Sequence, residues 1–297
     1  MKTLRALIRR NVKLFFNDKG AFFTSLITPL ILIMLFITFL GEVYRDAFAS
    51  AIPEGVTIAK SLENAFVNGW LFSSLLGVCT VTISFCSNLL MVSDKVNGSR
   101  SDIDVSPVSG TVLSLSYYIA SAISTLIICL VALIICFIIM ASGGWYLSAY
   151  DAIMTVFDTV LLVLFGTSLS SIINHFLSTQ GQISAVGTIV SSVYGFICGA
   201  YMPISEFAPA IRTFISLLPG TYGTSLLHLH LMQGVYKELD GKIPSEAIEG
   251  LKTAFDAKPE FFGHNLNEGT MFAILIGSVI VLTTVYVLLC KKRVKKK

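Results

Sequence analysis

Residues 70–92 read WLFSSLLGVCTVTISFCSNLLMV, residues 96–111 read VNGSRSDIDVSPVSGT, and residues 113–140 read LSLSYYIASAISTLIICLVALIICFIIM. The first and last runs each exceed the roughly 18 to 20 mostly apolar residues with which a helix crosses a bilayer. The run between them is polar and carries a Ser-Pro pair. Two spanning helices joined by a short polar turn satisfy this pattern, because a helix bonds its backbone internally where no water can.

Outward from this stretch the theme repeats. Of 297 residues, 54% are hydrophobic and 13% charged, and the mean hydropathy is +0.78. A soluble domain carries about 25% charged residues. The composition therefore predicts an all-α integral membrane protein, a single membrane domain over residues 1–297. Six transmembrane helices are expected, near 21–40, 67–92, 112–140, 152–173, 183–201 and 270–290.

The opening segment, 1–20, is basic and amphipathic. Leu4, Leu7, Ile8, Val12, Leu14 and Phe15 fall on one helix face, and Lys2, Arg5, Arg9, Arg10 and Lys13 on another. This pattern predicts an interfacial helix, apolar face in lipid and basic face on anionic headgroups, rather than a cleavable signal peptide. Basic residues recur in the tail KKRVKKK, 291–297. Both termini are therefore expected in the cytoplasm. Acids outnumber bases in the loops 41–66 and 202–269, which read as external. Within the second, 202–232 is half apolar and broken at Pro203, Pro209 and Pro219. Short re-entrant external helices between spans five and six are expected there, with an exposed cap over 233–269.

Catalytic chemistry is not legible. No phosphate-binding loop occurs, so the chain is not expected to hydrolyse ATP itself, to be an enzyme or to bind a cofactor directly. His228 and His230 lie two apart, on different faces of a helix, and predict no metal site. The six cysteines lie in or beside apolar runs without a CxxC pair and read as packing residues. Polar residues inside spans carry more information. Asp158 reads either as a carboxylate bonded to a neighbouring helix or reached by water, or as a cation-contacting or proton-sensitive group. Asn88 reads as glue between helices. Ser191, Gly195 and Gly199 recur at spacing four. They predict close helix packing, within the subunit, across a dimer or beside a central pathway.

The segment SDKVNGSRSDIDVSPVSGTVLSLSYYIAS, 93–121, resembles the region between the second and third spans of ABC type-2 transport permeases. The matching features are the acid-base pair Asp94 and Lys95, then Gly98, Ser99 and the Ser-Pro-Val-Ser turn at 106–109. The run SDKVNGS departs from the family's Glu-Arg-Glu-like pattern. MPISEFAPAIRTFISLLPGTY, 202–222, is similar to the family's region after the fifth span. The resemblance covers nearly the whole chain. It implies a permease subunit that works as a dimer with separate cytoplasmic ATPase subunits, which hold the ATP and magnesium. It implies a coupling helix within 94–110, spans two and five facing a central route, and an outer gate at Pro203, Pro209 and Pro219.

Under that resemblance, Asp94, Gly98, Ser99, Asp102, Ile103, Val105 and Pro107 are the expected ATPase-coupling residues. Ile103 and Val105 supply apolar anchors, and Pro107 ends the element. The expected function is outward export of a drug, antimicrobial peptide or lipid-like amphiphile across a bacterial plasma membrane. The partners expected are an ABC ATPase, a second permease subunit and membrane lipid, with no nucleic acid. A polysaccharide or lipid-linked glycan exporter is the alternative. An ion-coupled secondary transporter fits less well, since such proteins carry repeat symmetry and several buried ionisable groups.

Overall fold

A computed structural model describes residues 2–53, 56–261 and 264–294. Helices dominate: α1 (Lys2–Asn17), α2 (Lys19–Leu35), α3 (Gly41–Ala51), α4 (Lys60–Asn88), α5 (Leu90–Val96), α6 (Ser99–Asp104), α7 (Gly110–Gly143), α8 (Ala149–Phe176), α9 (Gln180–Ile197), α10 (Pro209–Ser216), α11 (Pro219–Leu239), α12 (Ser245–Ala254) and α13 (Glu268–Val294). A two-residue antiparallel pair, β1 (Glu260–Phe261) and β2 (His264–Asn265), precedes α13.

Local sequence sets the helix starts. Asp18 accepts from Ala21 N at 3.0 Å and caps α2. Ser148 with Asp151, and Thr179 with Gln182, form capping boxes at α8 and α9. Pro209 and Pro219 open α10 and α11, where the missing N–H costs nothing.

Among the described residues, five helical stretches are long and apolar enough to cross a membrane: Lys19–Ala51, Lys60–Val96, Gly110–Gly143, Ala149–Phe176 and Glu268–Lys291. The fifth expected span forms as α9, of 18 residues. It starts with Gln180, Gly181 and Gln182, which dilute its apolar character, so it is not one of the five. It also ends at Ile197 rather than 201, because the backbone turns at Gly199 (φ 76°).

Three other expectations are corrected. The loop 41–66 is mostly helical: a π-helical turn at Phe36–Leu40 carries α2 directly into α3. The apolar face of α1 is covered in part by protein, while Leu14 on that face stays exposed. Leu7 packs on Met91, Leu113 and Tyr117, Asn11 Nδ2 donates to Ser116 Oγ at 3.3 Å, and Phe15 enters the main core. The region 202–239 is not a pair of short dips. α10 has 8 residues, but α11 has 21 and is buried among α4, α8 and α13. There Gly223 abuts Leu162 so closely that a Cβ would lie 2.3 Å from its Cδ2.

The core has two parts. The larger surrounds α4, which is buried along nearly its whole length by α2, α7, α8 and α11. The smaller lies at one end. Tyr44 and Phe48 of α3, Phe66 and Trp70 of α4, and Tyr236 of α11 meet Ile248, Leu251 and Phe255 of the cap. The cap is therefore packed down on α3 and α4. The edge-on ring pairs Tyr44–Phe255 (6.1 Å) and Phe66–Phe255 (4.8 Å) lock it there.

Candidate functional site

At the end opposite the cap, α5 and α6 form a small hairpin hinged at Gly98 (φ 80°). The buried carboxylate of Asp94 takes Arg10 Nη1 at 2.8 Å, Arg10 Nη2 at 3.2 Å and the Tyr117 hydroxyl at 2.5 Å. The hydrogen bonds from Arg10 to Asp94 raise the Arg10 pKa further, so the guanidinium stays charged. Next to it, Lys95 Nζ donates to the carbonyls of Asn174 (3.2 Å), His175 (3.0 Å) and Leu177 (3.0 Å). A cation there complements the negative end of the α8 dipole. Two adjacent residues thus tie α5 to α1 and α7 on one side and to α8 on the other.

The tip is different. Asp102, Ser106 and Pro107 are exposed, and Val105 is 89% exposed. Ile103 is half-buried beside Met91, Leu113 and Tyr117, so it anchors the hairpin to its own chain. Asp94 is committed to Arg10 and Tyr117. The exposed surface of this hairpin is therefore formed by Asp102, Val105 and Pro107, while Ser99 is half-buried.

Inside the bundle, hydroxyls and amides join helices. Asn88 Nδ2 donates to Ser170 Oγ (3.1 Å) and Ser171 Oγ (2.7 Å). Ser87 meets Ser121 at 2.6 Å, and Ser84 meets Thr167 at 3.3 Å. The second span is thus the axis of this chain, packed on all sides, instead of a helix with one face on an open route. Asp158 is fully buried, with Oδ2 2.6 Å from His230 Nδ1. His228 Nδ1 lies 2.6 Å from Ser73 Oγ, and its ring stacks on Trp70. No cluster among the described residues has the makings of a metal site.

The expected small-residue row is cut. The Ser191 side chain lies outside the described ones. Gly195 is on α9, but a Cβ there would lie 2.3 Å from the Tyr201 ring of the same chain. Gly199 is past the end of the helix, in the left-handed region, where a Cβ would lie 3.0 Å from Asp256 Oδ2. Both glycines serve the turn that ends α9. Asp256 accepts from Ile204 N at 2.7 Å, and Ser205 Oγ donates to Ala254 O at 3.1 Å, which latches this turn to the cap. Burial pushes the Asp256 carboxyl up to about 7, opposed by the backbone N–H groups of Ile204 and Ser205. A cavity of about 310 Å³ opens beside it, lined by Arg212, Tyr222 and Lys258 among others. Pro203 is buried at the start of the turn, whereas Pro209 and Pro219 act as helix starters.

Sequence reasoning missed Arg10 and Tyr117 as partners of Asp94, and His230 as partner of Asp158. The signal available was the cost of an unpaired buried acid, which demands a cationic partner somewhere. No curated protein matches the chain. The family model described as ABC-2 type transporter matches residues 2–230, from α1 to the middle of α11, and the chain belongs to that family.

Proposed function

We propose that this permease is the membrane subunit of an ATP-driven exporter, that it pairs with a second permease subunit, and that a separate ABC ATPase docks on α6. ATP and magnesium sit on that ATPase, and both termini and α6 lie in the cytoplasm of a bacterial cell. The exposed tip of α6 carries this reading. An apolar residue at 89% exposure, flanked by Asp102 and Pro107 on a hairpin stapled to three helices, suits a docking element. Motion received at the tip would pass through Asp94 to α1 and α7, and through Lys95 to α8.

The second subunit would cover α9. Its outward face mixes Thr188 and Ser192 with Ile189 and Val193, a blend better suited to protein or water than to acyl chains. The substrate would be a drug, peptide or lipid-like amphiphile, leaving past the α9 turn and the helix starts at Pro209 and Pro219. The test is Val105→Asp, since Ile103 is needed for the chain's own packing. The variant is expected to insert and fold normally while losing copurification of the ATPase and its substrate-stimulated turnover. Normal copurification and transport would show α6 to be only a turn.

A further inference from the structure

His230 of α11 stands between two acids from other helices. Its Nδ1 is 2.6 Å from Asp158 Oδ2 on α8, and its Nε2 is 3.4 Å from Glu268 Oε1 at the start of α13. Asp158 is fully buried, and its Oδ1 has no hydrogen-bond partner among the described residues. The Glu268 side chain is 41% exposed, so the row runs from water to the interior. A neutral imidazole carries one N–H and can donate to only one acid. Its other nitrogen would turn a lone pair toward a carboxylate. The charged ring serves both, Nδ1 through a hydrogen bond to Asp158 and Nε2 through charge alone, since at 3.4 Å from Glu268 it makes no hydrogen bond among the described residues.

The surroundings isolate this row. Phe272 stacks on the His230 ring at 6.2 Å, and Tyr150 meets it edge-on at 6.5 Å. Asp151 is already held by Ser148 and lies 3.8 Å from Lys237. From α4, Trp70 and Ser73 face His228, while Gly69 abuts Met232, so that helix offers His230 no charge.

We propose that Asp158, His230 and Glu268 form a proton-binding site, reached through Glu268, whose occupancy fixes α11 against α8 and α13. The proton moves between water, the Glu268 carboxylate and Nε2, while Nδ1–H stays on Asp158. Loaded, the imidazolium bridges two carboxylates. Empty, two like charges flank a neutral ring, and the α11 contact loosens. This reading does not depend on the transport proposal.

Hydrogen exchange of the α11 segment in the purified full-length chain tests it, after correction for the intrinsic pH dependence of exchange. Protection of 219–239 is expected to step down as pH rises through the histidine range, about pH 5 to 8. His230→Gln should abolish the step. Glu268→Gln should keep it and move its midpoint to lower pH, because one acid favouring the proton is gone. A purely structural role would lower protection equally at every pH. A step that survives in His230→Gln, or a midpoint unmoved in Glu268→Gln, overturns the proposal. Should His230→Gln fail to fold, Glu268→Gln decides alone. An Asp256→Asn background removes the second group that titrates near neutrality.

Discussion

At the α6 end, a helix of seven residues is tied to three others by two charged side chains, and its tip projects free. At the cap end, rings from α3, α4 and α11 and one side of α12 bury one another, and polar groups only trim the edge. The first arrangement has direction: few contacts, each specific, each placed on a different helix. The second is spread over many apolar contacts, none of which is decisive alone. A joint that must pass displacement suits the former, and a closed lid suits the latter.

The largest expected effect falls on the cap. Phe66 is fully buried against Phe48 and Phe255. Phe66→Ala should cost about 3–5 kcal/mol in chemical unfolding of the full chain. Arg10→Ala should come next, at about 3 kcal/mol, the lower part of the range for breaking a buried pair because Arg10 is a third exposed. Its signature is specific: protease access at 97–108 should rise while the cap stays protected. Equal loosening of both ends would show that they open as one unit.

A smaller effect concerns pH. Folding raises the Asp256 carboxyl from 3.8 to about 7, so the native state holds the proton more tightly than the unfolded one. The stability it contributes is full below about pH 3.8 and declines as pH rises through about 7. Asp256→Asn keeps an acceptor for Ile204 and should flatten that slope in melting curves taken across the window. An unchanged slope would place the titration elsewhere. The smallest effect is Val105→Ser, which should leave stability within about 0.5 kcal/mol, measured in the same melts. A larger loss would mean that the tip is packed in the intact protein.

Most of the bundle was legible because runs such as 113–140 have few alternatives once the composition excludes water. The polar break at 96–111 was legible as a turn, but a helix within 94–110 was expected only through the family resemblance, with Pro107 as its end. The clamp was not. Asp94 lies 84 positions from Arg10, and nothing local says which of five basic residues in 2–13 will turn inward. For α1, amphipathicity identified the apolar face but not its neighbour, since the pattern alone does not distinguish lipid from the side of another helix. The row at Ser191, Gly195 and Gly199 had helical spacing, yet the third member needed a left-handed backbone that only a turn supplies. His230 was discounted for its distance of two from His228. That spacing does put the pair on different faces, and each face found its own partner, Ser73 and Asp158.

The π-helical turn at Phe36–Leu40 has a geometric consequence. It holds one residue more than the α-helical turn it replaces. Each residue advances a helix by about 100°. The face of α2 that carries Phe23, Ile27, Leu30 and Met34 outward is thus out of phase with the face of α3 that turns Tyr44 and Phe48 inward. The residue count across 36–40 works as an angular setting. Deleting one residue there would restore a continuous α-helix with both rings still on Trp70 and Phe66, whereas an α-helix that kept all five residues would swing them away by about 100° and leave the cap closed over a hole.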